Sequence, residues 1–518
     1  MLPAILAVVL AVTTRNVLLS LGAAVFLGCG IVEFEWGDHR SFMAVNGVVH
    51  ALGLVWDSVS SSDNQRVTAF SLLVGATVGV MSKSGATSAM VHRLIRVATT
   101  RTKGMLATWI AGLAVFFDDY ANCLIVGNGM RPLVDRLGIS REKLAYIVDS
   151  TAAPIASVAL ISTWAGYEVS IMAEGLVDAG SDVDPYAFFV AGVGYRFYCL
   201  FTIVFVGAIA WTGRDFGPMY SAEVAALTQE AKPEEVTGED GVGGRAFGAV
   251  GPMVLLVVWA LGKLWFDGRA AVESQRLDGS LPEGSVGFID IIGSADGYAA
   301  MLSASEAALA LAVLVALSSG ALSLRGVVSA TLSGMWQIAG ALGVLVLAWT
   351  LGSTMSDLGT SEYLVGLLDG AIDPAYLASV VFVVSAATAF ATGTSFGTMG
   401  IMVPMVIPLS FAISSDPVVH MAASGAVLSG ACWGDHCSPI SDTTVLSSLG
   451  AGCDHVEHVR TQLPYAIACG AIALFAGSLP IGFGVPLWVT LVVGSALCIM
   501  VVRFVGQVPS VTDGSPCV

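Results

Sequence analysis

Apolar runs too long for a soluble helix recur along the chain. Ala187 to Trp211, Phe247 to Phe266, Ala307 to Leu324 and Leu487 to Val505 each reach the ~18 residues that mark a membrane-spanning helix. Lipid offers the backbone no hydrogen-bond partners, so such runs must close their own bonds as helices, and the expected fold is an all-α polytopic membrane protein. Hydrophobic residues make up 55% and charged residues 12%, against about 25% charged in a soluble domain, and the mean hydropathy is +0.81. No large soluble domain has room. Leu2 to Val12 has no basic stretch before it and no small-residue cleavage site after it, so it reads as a retained membrane segment rather than a signal peptide. At 1.5 Å per residue it falls short of a ~30 Å core, which leaves open whether it is a separate half-helix or continues into the next span. The nine cysteines are scattered through apolar runs, against a disulfide framework or zinc module.

The net charge of −17 is unevenly distributed. Lys83 to Lys103, with Arg93, Arg96 and Arg101, and Arg131 to Lys143, with Arg136 and Arg141, are basic and belong to the cytoplasm by the positive-inside rule. Glu33 to Asp63, Glu168 to Asp184 and Asp357 to Asp373 are acidic and face outward as solvated loop surface. Ser41 to Ser58, with Asn46, His50 and Asp57, reads as an interfacial helix. Arg214 to Arg245 is rich in Glu, Gly and Pro and poor in bulky residues. The division expected is a first membrane repeat, 1–212, a cytoplasmic acidic linker, 213–245, a second repeat with a C-terminal span, 246–506, and a short cytoplasmic tail, 507–518.

Only one apolar segment, Met105 to Asn128, separates the two basic loops, so it must enter and leave on the same side as a re-entrant hairpin. Its tip is FFDDYAN, where Asp118 and Asp119 interrupt the run and Asn122 adds an amide. The next span is interrupted by DSTAAP, Asp149 to Pro154, with Ser150 and Thr151. Three such blocks recur later in the same order. At a constant offset of 274 (353 − 79), GVMSKSGAT lies over STMSDLGTS, and the first tip lies over FATGTSFGTMG, with Thr392, Thr394, Ser395 and Thr398 and the glycines 393, 397 and 400. With a few more residues of loop, DSTAAPIASVALIS lies over GDHCSPISDTTVLSS. That block, Gly434 to Thr444, places Asp435, His436, Ser438, Asp442 and Thr443 around Pro439, which should unwind the helix near 434–439. A charge at bilayer depth costs at least ~2.5 kcal/mol, so the block reads as an ion site. The second hairpin, Ala375 to Phe411, opens outward by crossing count and the first inward. The expected architecture is two inverted-topology repeats, each with a re-entrant hairpin and a discontinuous helix, in 11 to 13 membrane segments.

At GDHCSPISDTT and FFDDYAN the chain resembles the NhaC-type sodium/proton antiporter family, over about Val67 to Leu474. The resemblance implies a secondary transporter of the ion-transporter superfamily in the cell inner membrane, a homodimer by superfamily habit, and sodium and proton coupling. Related sequences carry malate, lactate, amino acids or drugs, so an organic-solute carrier on the same fold is the alternative.

Oxygen-rich ligands at unwound helices suit a small hard cation. The expected sodium ligands are Asp118, Asp119, Asn122, Asp149, Asp435 and Asp442, with Ser150, Thr151, Thr392, Thr394, Ser395, Thr398, His436, Ser438 and Thr443 completing the ion or substrate site. Exchange follows when one carboxylate set takes either sodium or protons. The bland readings are that Asp118 and Asp119 cap half-helices, that His436 orients Asp435, and that Arg196 pairs some buried acid. An intramembrane hydrolase using Asp119 and Asp435, or a metal at Asp435, His436 and Asp442, lacks a glycine-x-glycine-aspartate pattern and a second histidine. No enzyme activity, cofactor or nucleic-acid partner is expected; sodium, protons, the bilayer and a small organic solute are the partners considered.

Overall fold

Helices carry most of the computed structural model, which describes residues 2–14, 16–36, 43–86, 98–228, 247–277, 294–359 and 373–510, with Ala89 and Ile291. The order is α1 Leu2–Thr14, α2 Val17–Trp36, α3 Met43–Ser60, α4 Ser62–Lys83, α5 Arg101–Ala114, α6 Asp119–Arg136, α7 Arg141–Asp149, α8 Ala153–Val158, α9 Thr163–Asp178, α10 Pro185–Gly192, α11 Phe197–Thr212 and α12 Pro218–Thr228. Then come α13 Phe247–Leu277, α14 Gly297–Ser318, α15 Leu324–Gln337, α16 Ala339–Asp357, α17 Pro374–Thr392, α18 Ser395–Ile413, α19 Pro417–Cys437, α20 Asp442–Ala451, α21 His455–Ile472, α22 Leu479–Gly482 and α23 Leu487–Val505. Among the described residues there is no strand, only an isolated antiparallel bridge between Asp215 and Gln507. Among the described residues six helices are long and apolar enough to cross a membrane, or up to nine if each of three bent pairs is one span. The segments carrying Arg93 and Arg96, the linker beyond Thr228 and the tail beyond Ser510 lie outside the described residues.

Several helix starts are written locally as aspartate-proline. Asp184, Asp373 and Asp416 each accept a hydrogen bond from a backbone amide of the first turn, at 2.8–2.9 Å, and the proline after each sits where no intrahelical amide is needed. Each expected hairpin segment is a pair of helices joined by a short turn, and both helices of the second, Pro374–Thr392 and Ser395–Ile413, are long and apolar enough to cross a membrane. The first turns between α5 and α6 at Val115–Asp118, the second between α17 and α18 at Gly393 and Thr394. Gly393 has φ +69°, and a Cβ there would lie 2.6 Å from the Ile440 carbonyl oxygen, so the second turn admits only glycine. Each hairpin is followed by a broken helix, α7–α8 at Ser150–Ala152 and α19–α20 at Ser438–Ser441. The second break falls slightly later than 434–439, because α19 runs on to Cys437 and Pro439 blocks only its continuation.

The structure settles some expectations and corrects others. Leu2–Thr14, left open by the sequence, is a helix of its own. The helix expected near Ser41 to Ser58 is present as Met43–Ser60, packed on α2 and α16. The run Ala187 to Trp211 is not one straight span: it bends by 49° after a 3-10 turn at Val193–Tyr195. Leu324–Gln337 and Leu342–Asp357 are bent by 41° relative to each other. Lys143 is a buried residue of α7, paired with Asp215, rather than a loop cation. Glu168 is not outward loop surface. It is fully buried on α9, where Arg196 Nη1 meets its Oε2 at 2.7 Å and Ser157 Oγ donates to its Oε1 at 2.9 Å. Arg196 stands at the bend between α10 and α11, so the unwound turn exists where a buried cation reaches a buried anion.

Removing one partner of a buried pair leaves the other charge uncompensated, at about 3–5 kcal/mol, whereas replacing both with apolar groups is often neutral. Arg196→Leu should therefore lower the thermal unfolding midpoint of the detergent-purified protein sharply, and Arg196→Leu combined with Glu168→Leu should recover most of the loss. A double variant as unstable as the single one would mean that the pair is not the source.

Candidate functional site

Helix ends from both halves meet in one place: the start of α6, the α7–α8 break, the starts of α9 and α18, the end of α19 and the start of α20. They are fixed by a close crossing. A Cβ on Gly450 would lie 2.2 Å from the Cys123 carbonyl oxygen, and one on Gly127 2.7 Å from the Gly450 carbonyl carbon. Only paired glycines let α6 and α20 touch backbone to backbone. The far end of α20 is held by arginines of the expected cytoplasmic loop: Arg131 Nε donates to the Gly450 carbonyl at 2.6 Å and Arg141 Nη1 to that of Gly452 at 3.1 Å. These cations cap helix carbonyls. At the near end the Tyr120 hydroxyl donates to Asp442 Oδ2.

A cavity of about 210 Å3 opens beside this contact. Asp118, Asp119, Tyr120, Thr163, Thr394 and Asp442 supply its polar side, and residues including Ile338, Leu342, Leu345 and Phe396 its apolar wall. The adjacent Asp118 and Asp119 divide their roles. Asp118 is the N-cap of α6, its Oδ1 accepting from the Ala121 amide at 2.7 Å and its Oδ2 from Thr163 Oγ1 at 3.3 Å. Asp119 is 3% exposed and its Oδ2 has no hydrogen-bond partner.

Asp435, at the end of α19, accepts from Thr443 Oγ1 at 3.3 Å through Oδ2, while its Oδ1 is buried and unpartnered. Among the described residues, no lysine or arginine forms an ion pair with Asp118, Asp119, Asp435 or Asp442. Asp149, which ends α7, is different. Thr444 Oγ1 at 3.0 Å and Gln462 Nε2 at 2.6 Å donate to its Oδ2, and His458 Nε2 stands 3.6 Å away.

Most of the other expected site residues make hydrogen bonds within the bundle. The Asn122 amide donates to the carbonyls of Gly112, Val115 and Thr151, tying the first tip to the first broken helix. Thr151 Oγ1 bonds back to the Ile147 carbonyl at 2.7 Å, Ser150 caps α7, and Ser438 Oγ donates to the Phe390 carbonyl at 2.8 Å. At the second tip, Thr392, Ser395 and Thr398 donate to the carbonyls of Thr388, Ala431 and Thr394, and Thr394 Oγ1 caps α18. His436 makes no hydrogen bond to Asp435; its Nδ1 lies 3.0 Å from the Tyr198 hydroxyl. Tyr120, Thr163, Tyr198, Thr444, His458 and Gln462 were not among the expected residues. His458 and Gln462 lie four apart, on one face, in the polar first half of α21 beside Glu457, Arg460 and Thr461, so spacing alone does not single them out. Among the described residues, no three His, Cys, Asp or Glu side chains converge as a metal centre.

The model of the Na+/H+ antiporter family matches residues 155–478, well over half the chain. An uncharacterized protein of Haemophilus influenzae is 33% identical over 488 residues, covering 93% of this chain and 90% of the relative. The Na+/H+ antiporter NhaC of Alkalihalophilus pseudofirmus is 31% identical over 122 residues, 24% of each chain. Among solved structures, the YdaH transporter of Alcanivorax borkumensis superposes with a TM-score of 0.61 at 18% identity, covering 93% of this chain and 99% of that one, a likeness of fold.

Because the α6–α20 crossing has no room for a methyl group, Gly450→Ala should destabilise the protein by about 1–3 kcal/mol. A Cβ on Gly22 meets nothing within 4 Å, so Gly22→Ala is the neutral comparison. The readout is the thermal unfolding midpoint of both variants; equal midpoints would mean that the backbone contact does not hold the site.

Proposed function

Since this chain belongs to the Na+/H+ antiporter family, a family of multi-pass membrane transporters rather than enzymes, we propose that it exchanges sodium for protons at the carboxylates around the α6–α20 contact. The observation that carries this reading is the set of buried, unpartnered oxygens Asp119 Oδ2, Asp149 Oδ1 and Asp435 Oδ1, with no lysine or arginine paired to any of these acids among the described residues. An unpaired buried carboxylate either takes a proton or takes a cation. Sodium and protons then compete for the same oxygens, and each releases the other. Asp442, held by Tyr120, and Asp118, held by the start of α6, contribute negative charge beside the cavity. Asp149, bonded by Thr444 and Gln462, supports the site from the first broken helix, and His458 beside it is a candidate proton holder.

The hairpin-then-broken-helix order of the two halves supports an inverted repeat, with the site where the repeats meet. A second concavity, of about 750 Å3, is lined by Asp63, Glu174, Asp178, Asp182, Asp184, Asp296 and Asp357. It is an acidic vestibule that would raise the local concentration of cations on the outer face. In this reading the 213–245 linker and the C-terminus are cytoplasmic, the membrane is the cell inner membrane, and the protein works as a dimer.

In proteoliposomes carrying an internal pH dye, added sodium should collapse an imposed proton gradient, and Asp119→Asn and Asp435→Asn should each slow that response at least tenfold. Wild-type rates in both variants would overturn the assignment.

A further inference from the structure

The cavity beside Asp119 is larger than a sodium site needs. A void of about 150 Å3 with apolar walls accommodates benzene, and this one, at about 210 Å3, has room for a ligand of that size with a polar head. Its two sides differ sharply. One carries Asp118, Asp119 and Asp442, with Asp119 Oδ2 buried and unpartnered; the other is formed by Leu342, Leu345 and Phe396. Phe396 is held rigidly, its ring 4.8 Å from that of Trp164 and 4.9 Å from that of Tyr167, whose hydroxyl donates to the Phe396 carbonyl at 2.6 Å. No lysine, arginine or histidine of the described chain lines the cavity.

This arrangement selects by charge. A carboxylate solute would meet three carboxylates and no cation, a repulsion made worse by low dielectric. A neutral solute can donate a hydrogen bond to an Asp119 carboxylate oxygen but leaves the charge of the acids uncompensated. A primary ammonium group offsets that charge and donates to an Asp119 carboxylate oxygen in a charge-assisted hydrogen bond, and its alkyl body covers the apolar wall at roughly 25 cal/mol per Å2. The rings of Phe396 and Tyr167 add a cation-binding surface. We propose that the cavity is a binding site for small organic ammonium solutes, with Asp119 as the anchor and Leu342, Leu345 and Phe396 setting the length of the alkyl body. The inference rests on the antiport reading only in sharing Asp119 with the ion, which makes sodium and the ammonium competitors.

The test uses three probes on one skeleton, n-butylammonium, 1-butanol and butyrate, titrated calorimetrically into the purified full-length protein in detergent, with micelle blanks. Butylammonium should bind, 1-butanol at least tenfold more weakly and butyrate more weakly still. Sodium should weaken butylammonium binding, and Asp119→Asn and Leu345→Trp should each weaken it at least tenfold. If either variant fails to fold, the ranking of the three probes on the wild type decides. Butanol or butyrate matching butylammonium, or no binding by any probe, would overturn the proposal. Sodium-driven proton flux is measured on the same purified protein after reconstitution into proteoliposomes. Flux without butylammonium binding overturns the ammonium site alone, and binding without flux overturns the antiport reading while the ammonium site stands.

Discussion

A carboxylate inside a helix bundle loses several kcal/mol of hydration, and something must replace it. This protein handles that constraint in two ways. Glu168 with Arg196 and Asp215 with Lys143 are closed ion pairs, fully buried. Asp118, Asp119 and Asp435 are buried and Asp442 is half-buried, all four without such a cation among the described residues. The helix starts offer only partial compensation. Asp118 and Asp442 sit at the first turns of α6 and α20, where the helix dipole stabilises a negative charge by about 0.3–1 kcal/mol, well below the lost hydration. The remainder has to come from a cation or a proton, and that contrast between the two classes within one bundle is the basis of the proposed ion site.

Placing these acids together depends on backbone contact rather than on side-chain reach. Asp119 and Asp442 belong to different halves of the chain, and their helices approach through Gly127 and Gly450. With the backbones in contact, Tyr120 reaches Asp442 and Cys123 Sγ comes within 3.7 Å of the Thr443 carbonyl. The arginines at the other end then satisfy the carbonyls that α20 leaves free.

Much of this was legible because its causes are local. Proline and aspartate at Asp149–Pro154 and Asp435–Pro439 mark broken helices, and Asp118, Asp119 and Gly393 mark hairpin tips. The bend at Arg196 was not legible, because it depends on a glutamate 28 residues away on another helix. The contact between Tyr120 and Asp442 spans 322 residues, and no periodicity reports it. The alignment of the two halves sets Thr392 over Asp118, a hydroxyl over a carboxylate, and the two tips differ accordingly: hydroxyls in the second tip bond to nearby helix carbonyls.

That asymmetry has a physical logic. A hydroxyl can satisfy itself on the carbonyl of the preceding turn, as Thr392 does, and so lock a tip without external ligands. A carboxylate has no proton to give when ionised and accepts only, so an acidic tip stays incomplete unless donors or cations come to it. Asp118 finds its donors in Ala121 and Thr163; Asp119 Oδ2 finds none. The second half contributes its acids from the broken helix instead, through Asp435 and Asp442 on either side of Ser438–Ser441. The first half of the chain therefore supplies an acidic tip, and the second a bonded tip with acids at its break. The two acidic parts face each other across Tyr120 because the glycine crossing allows only that approach.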